Sequence, residues 1–158
     1  MHADLSVLRK DGSGYRFNRA HYLREKYDVP QTVAEMERAW FVGALMTAAD
    51  ALDYYSYFDR STCLELIFHL RNGLGHGNAF DFNGRKKRLA QYPAHNRESM
   101  ERGMIDFEIT LNLQKKPVLF GFMGPGDVLD VLQAATRRLA DIALGRITDV
   151  PRAPLPYP

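Results

Sequence analysis

The amino-acid sequence predicts a mainly α-helical fold that carries one small β-hairpin. Long segments place apolar residues at every third or fourth position, which is the spacing of an amphipathic helix. A later segment alternates apolar and polar residues, as a half-buried strand does. The chain has 158 residues, 46% of them hydrophobic, which is enough for one domain with a buried core. We therefore expect a single domain over residues 1–150 and a proline-rich tail over residues 151–158.

Two helices are expected in the first part of the chain. A short helix near Phe17 to Tyr27 should end before Pro30, because the residue before a proline disfavours helical backbone. The sequence Thr32-Val33-Ala34-Glu35 matches a capping box and predicts the start of a long second helix. The apolar positions of that helix are Val33, Met36, Trp40, Ala44, Ala48, Leu52 and Tyr55.

A third helix should begin at a second capping box, Thr62-Cys63-Leu64-Glu65. It leads directly into Arg71-Asn72-Gly73-Leu74-Gly75-His76-Gly77-Asn78. Glycine inside a helix costs about 0.5–1 kcal/mol relative to alanine, so three alternating glycines indicate a functional site. The apolar face of this helix is predicted to consist of Leu64, Ile67, Phe68, Leu70 and Leu74.

The remaining segments predict a loop, a hairpin and a last helix. Residues 83–103 lose the helical pattern, which predicts a long loop or a broken helix. Ile105–Leu113 alternates in polarity and Pro117–Phe122 follows after a polar turn, so the two should pair as a β-hairpin. The last helix should run from about Asp127 to Leu144 and end at Gly145.

Charge and cysteine content constrain the location and the partners. The single Cys63 has no disulfide partner, and no leader or membrane-length apolar run is present, so we expect a cytoplasmic protein without a membrane contact. The net charge of +2 does not by itself indicate nucleic acid. One basic cluster is either a solvated loop or a contact for RNA phosphates. It consists of Arg85, Lys86, Lys87 and Arg88.

The spacing of arginine and histidine does not by itself select the motif. Three pairs have four to six residues between them: Arg16 to His21, Arg71 to His76, and Arg88 to His95. Only the second follows a capped core helix and has a polar residue, Asn72, beside its arginine. The context of this pair, more than its spacing, identifies it as the candidate site.

Helix geometry bears on how this pair can act. A straight α-helix turns about 100° per residue, so Arg71 and His76 should point about 140° apart. Either the glycines deform the helix end, or two copies of the chain meet at one composite site. Gly73 and Gly77 lie one turn apart and are the candidate dimer-interface residues, because they would let a second backbone approach.

Leu70-Arg71-Asn72-Gly73-Leu74-Gly75-His76-Gly77 resembles the signature of the HEPN superfamily of small helical proteins. The resemblance covers roughly Thr32 to Phe80 and the last helix, and it implies a HEPN-like helical bundle. It implies that Arg71, Asn72 and His76 form a metal-independent endoribonuclease site, without a cofactor, that is completed across a homodimer. The chain is also similar to the hairpin-bearing subgroup of toxins and abortive-infection proteins, which implies a possible antitoxin partner.

One position departs from this family. Toxins that are neutralised by nucleotidyl transfer to a tyrosine carry that tyrosine two residues after the histidine, where this chain has Asn78. Regulation by that route is therefore not expected.

The chemistry of the motif residues fits RNA cleavage independently of the family. His76 can exchange a proton near neutral pH, and the Arg71 guanidinium can bind two phosphate oxygens. Asn72 would orient the phosphate or the arginine. Two other interpretations stay open: a non-catalytic module that binds RNA or protein, and a simple helix end with Gly77 as its cap and Arg71 in a surface ion pair. His69 is expected to pack in the core, and no metal is expected.

Overall fold

The fold is described from a computed structural model, which describes residues 6–8, 10–11, 13–16, 18–97, 100 and 105–148. The predicted proline-rich tail, 151–158, lies outside these residues. The chain divides into two compact units, Met1–Ala39 and Trp40–Pro158. The single domain predicted for residues 1–150 stays a prediction, and each unit is described separately below.

The first unit begins with two short antiparallel strands, β1 (Ser6–Leu8) and β2 (Gly14–Arg16). Helix α1 (Arg19–Asp28) follows, and helix α2 (Pro30–Tyr54) begins two residues later and continues into the second unit. The helix predicted before Pro30 is therefore confirmed. The Asn18 side chain caps α1 by accepting the backbone N–H of His21 at 2.9 Å.

Within the first unit, α1 is tied to the start of α2 by polar contacts. Glu37 accepts hydrogen bonds from the Tyr22 hydroxyl and, at 2.6 Å, from Lys26 Nζ. Helix α2 begins at Pro30, so Thr32 already lies inside it and is not its cap. Proline suits the first turn because its missing N–H would have no partner there. The predicted capping box at the start of α2 is therefore wrong.

The second unit contains the rest of α2 and the helices α3 (Thr62–Gly75), α4 (Lys86–Gln91) and α5 (Pro125–Ala143). Helices α3 and α5 pack against each other. The mainly helical character and the third and last predicted helices are thus confirmed. The most deeply buried side chains of the core include Leu45, Leu64, Leu66, Ile67, Leu70, Phe80, Phe82, Val118 and Val128.

The hairpin predicted between residues 105 and 122 is not confirmed. The described part of this segment contains a 3-10 helix, Leu111–Leu113, and isolated bridges instead of paired strands. The buried Asn96 side chain binds the backbone here, accepting from Phe107 N and donating to Ile105 O, both at 2.8 Å. Ile109 N then donates to Ala94 O. The alternating segment therefore lies along residues 94–96, and it does not pair with 117–122.

The predicted loop between residues 83 and 103 contains the short helix α4, in agreement with the broken-helix alternative. Of the helices that the structure describes, none has both the length and the apolarity to cross a membrane.

Candidate functional site

Helix α3 ends in a tight backbone turn at the motif. Gly77 and Asn78 both adopt left-handed backbone, with φ of 79° and 64°, which stops the helix. The backbone N–H of His76 still bonds Asn72 O at 3.1 Å, and Ala79 N bonds Gly73 O at 2.9 Å. The carbonyls at the helix end are therefore satisfied within the chain.

The Asn78 side chain fixes this turn from both of its polar ends. Its amide nitrogen donates to Leu119 O at 3.1 Å, and its carbonyl oxygen accepts from Leu119 N at 2.8 Å. Asparagine is one of the few residues with a side chain that tolerate left-handed backbone. Asn78, the position that departs from the family pattern, therefore has a structural role here.

The three glycines of the motif have different surroundings. A Cβ at Gly73 would lie 2.5 Å from Val118 Cγ2, so only glycine fits this buried position without a shift. A Cβ at Gly75 or Gly77 would meet nothing within 4 Å. Gly73 and Gly77 thus each have a reason within the chain, close packing for one and backbone conformation for the other. Their part in a dimer stays a prediction.

Arg71 lies on the surface and is bound to a carboxylate of α2. Its Nε and Nη2 donate to the same atom, Asp50 Oδ1, at 3.0 and 2.9 Å. The arginine side chain is 42% exposed and the aspartate side chain 55%. This surface pair and the left-handed Gly77 are the features that the helix-end interpretation predicted.

Arg71 and Asn72 border one small crevice, of about 40 Å³. The Asn72 side chain is 7% exposed, and its amide nitrogen donates to Phe68 O at 2.8 Å. His76 is exposed and does not line this crevice. The structure therefore brings together two of the three predicted catalytic residues and leaves the third apart. The lining residues are Ala49, Asp53, Phe58, Phe68, Arg71 and Asn72.

The four residues of the basic cluster have different environments. Lys86 and Lys87 are exposed on α4, whereas Arg85 is half-buried. Arg88 is engaged within the chain, because its Nε and Nη2 donate to the two oxygens of Glu65 at 2.7 Å. Its guanidinium also lies 3.4 Å from the centre of the Phe68 ring. Arg88 therefore has a structural role, and Arg85 Nη1 also donates within the chain, to Asp81 O at 3.5 Å.

Glu65 is the acidic centre of this buried arrangement. Its side chain is fully buried and is also paired with Arg60 at 3.2 Å. The sequence pattern assigned Glu65 to a capping box, but Ser61 is the residue at the cap position and its side chain makes no capping hydrogen bond. The capping-box prediction is wrong because the cap lies one residue earlier, at Ser61, and two arginines from outside α3 bind the Glu65 carboxylate.

His69 packs in the core, as the sequence predicted. It is 2% exposed, and its ring lies 5.2 Å from Phe68 and 5.9 Å from Phe82, centre to centre. Burial lowers the pKa of His69 to about 4, while the nearby Glu65 carboxylate acts in the opposite direction. In the part of the chain that the structure describes, no three His, Cys, Asp or Glu side chains are grouped as a metal site requires.

Sequence reasoning missed two acidic residues next to the motif. Asp50 binds Arg71, and Asp53 lines the crevice one helical turn later. Their spacing of three places both on one side of α2. That spacing is visible in the sequence, but the contact partner is not.

Comparisons with known proteins find no matching family model, no matching curated protein and no matching solved structure. The HEPN resemblance therefore rests on the motif residues, and membership of that family stays a prediction.

Proposed function

We propose that this protein is a metal-independent endoribonuclease that acts as a homodimer, with Arg71, Asn72 and His76 as its catalytic residues. The resemblance of the motif further suggests a toxin or an antiphage-defence effector of the HEPN type. RNA is the substrate, and an antitoxin is a partner to be sought.

The observation that carries this proposal is the exposure of Arg71 and His76 at the end of a buried helix. The residues between them include Asn72, Gly73 and Leu74, all buried. The chain thus places a half-exposed guanidinium, paired with Asp50, and an exposed imidazole at a fixed helix end. A guanidinium can bind two phosphate oxygens and an imidazole can transfer protons near neutral pH, which transesterification of RNA requires.

The separation of His76 from the Arg71 crevice favours a site made by two copies. Most soluble homo-oligomers are symmetric, so a dimer would bring the Arg71 crevice of one copy towards the helix end of the other. Each such site would take its arginine from one copy and its histidine from the other, so a single imidazole serves both proton transfers in turn.

The reaction follows from these groups. One imidazole takes the proton of the RNA 2′-hydroxyl, and the 2′-oxygen forms a bond to phosphorus. The bond from phosphorus to the 5′-oxygen breaks, and an imidazolium gives that oxygen a proton. Arg71 stabilises the negative charge that grows on the phosphoryl oxygens. The products are a 2′,3′-cyclic phosphate and a free 5′-hydroxyl.

Cleavage of RNA in the presence of EDTA tests this function. Wild-type protein should produce cyclic phosphate ends, and His76→Ala should lower the rate by at least about 100-fold, because general acid–base catalysis contributes that much. His21→Ala is the matched control, since His21 is another exposed helical histidine. Intact RNA with wild type, or equal cleavage by the two variants, would exclude His76 catalysis.

A non-catalytic binding module is the second candidate function, and the exposure of Lys86 and Lys87 on α4 favours it. In that case the effect that expression of the protein has on cell growth should persist in His76→Ala. Reversing both charges, Lys86→Glu with Lys87→Glu, should remove it. The opposite pattern, loss with His76→Ala and persistence with the charge reversal, would reject simple binding.

A further inference from the structure

We propose that Asp50 occupies the phosphate-binding position on Arg71 and must leave it when RNA binds. This inference rests on the proposed function and names the residue that regulates access to the same site. It assigns Asp50 as a residue that competes with the phosphate for Arg71.

The geometry of the pair supports an exchange of ligands. Arg71 directs Nε and Nη2 to Asp50, and this edge of a guanidinium is suited to bind two oxygens of one anion. Here both donors share the single atom Oδ1, at 3.0 and 2.9 Å. A phosphodiester would offer each donor its own oxygen. The bound carboxylate therefore leaves part of the binding capacity of Arg71 unused.

The exposure of the pair makes Asp50 displaceable. Both side chains are about half exposed, at 42% and 55%, so water and salt screen their attraction. The contrast with Glu65 is clear, because that carboxylate is fully buried and held by two arginines. Asp50 can separate from Arg71 without leaving a buried charge unpaired. Glu65 cannot separate from its arginines in this way.

The position of Asp50 also sets its effect on an anion. A phosphate at Arg71 would lie beside the Asp50 carboxylate, and the two negative charges would repel each other. Asp53 carries the same charge one turn further along α2 and lines the crevice, but the hydrogen bonds of Arg71 in the described structure go to Asp50. Asp50 therefore competes with the phosphate directly, and Asp53 acts only through its charge.

The test is the affinity for a 2′-O-methyl oligoribonucleotide, which binds but cannot be cleaved, measured by fluorescence anisotropy with the full chain at fixed ionic strength. Asp50→Asn keeps the shape of the side chain and should tighten binding roughly three- to tenfold. Asp53→Asn changes the net charge equally and should tighten binding by a clearly smaller factor. Adding Arg71→Ala to Asp50→Asn should remove the gain.

Three results would overturn the inference. Equal gains from Asp50→Asn and Asp53→Asn would show a general charge effect. Weaker binding by Asp50→Asn would show that Asp50 holds Arg71 in place for the ligand. A gain that survives Arg71→Ala would place the phosphate elsewhere.

Failure of the inference and failure of the proposed function are distinguishable. If Asp50→Asn binds more tightly but no variant cleaves RNA, the inference stands and catalysis is excluded. If RNA is cleaved but the affinity is unchanged by Asp50→Asn, the inference is wrong and the function stands. If neither wild type nor any variant binds the oligoribonucleotide, both are wrong.

Discussion

A methyl group at position 73 has no room beside Val118. The contact between a Cβ and Val118 Cγ2 would be 2.5 Å, and Ala79 O would lie 3.5 Å away on the same side. Gly73 lies in α3 two residues before the helix ends, so its size determines how closely the following segment packs on α3. The glycine therefore serves the packing of the core at the site.

Gly73→Ala should lower the free energy of unfolding by about 1–3 kcal/mol, because overpacking displaces Val118 or the backbone. Gly75→Ala is the matched control. It faces open space and should be neutral or stabilising by up to about 1 kcal/mol, since alanine is the better helix former. Urea denaturation of both variants measures this, and equal destabilisation would show that the Val118 contact is unimportant.

The sequence located the unusual glycines, but it could not give their separate roles. Glycine is required at position 73 because a Cβ there would be too close to Val118, and at position 77 because the backbone is left-handed. A Cβ at Gly75 would meet nothing within 4 Å. The first role depends on a residue far along the chain, which no local pattern reveals. Asp50 was missed for the same reason, because its partner is defined only when α2 and α3 are placed together.

Helix α3 carries three buried polar residues, and two of them, Glu65 and His69, lie one turn apart. Glu65 is compensated by Arg60 and Arg88. His69 has no such partner for its Nε2 atom among the described residues. The neutral imidazole is therefore the form that this helix can bury, which makes its stability sensitive to acid.

Stability should fall as the pH is lowered from about 6.5 to about 4. The pKa of His69 is about 4 in the folded chain and about 6.5 when unfolded, so the unfolded chain binds more protons in this window. The contribution of His69 to the slope of the unfolding free energy against pH should approach about 1.4 kcal/mol per pH unit. His69→Phe should remove this part of the slope and His21→Gln should retain it, as measured by denaturation at several pH values.

The elements themselves were predictable to different degrees. The helices α2, α3 and α5 follow from local apolar spacing, which is strong over long segments, whereas α1 follows from the proline after it. The predicted hairpin is not found. The side chain of Asn96, from another segment, hydrogen-bonds the backbone groups of Ile105 and Phe107 that a partner strand would otherwise bond. Both capping boxes failed because the helices begin at Pro30 and after Ser61.

In the whole molecule, we expect two chains of a dimer to share the proposed catalytic site. The Arg71 crevice does not include His76, so each chain alone presents an incomplete set of the proposed catalytic residues around it. A symmetric dimer would contain two equivalent composite sites. Each would take its arginine from one copy and its histidine from the other.

Mixing Arg71→Ala with His76→Ala should restore activity that neither variant has alone. Half of the randomly formed dimers would be mixed, and each of these would have one intact site of two, so roughly a quarter of wild-type activity should return. RNA cleavage after co-refolding measures it, with each variant refolded alone as the control. No recovery, in a sample shown to contain mixed dimers, would place the complete site within one chain.

The double hydrogen bond between Asn78 and Leu119 has a consequence for the entropy of the proposed catalysis. The backbone around His76 is fixed by helix hydrogen bonds before it and by this side chain after it. The freedom left to His76 is rotation about its two side-chain bonds. Ordering the His76 side chain against a substrate should therefore cost only about 0.5–1.5 kcal/mol of free energy, because no loop has to become ordered at the same time.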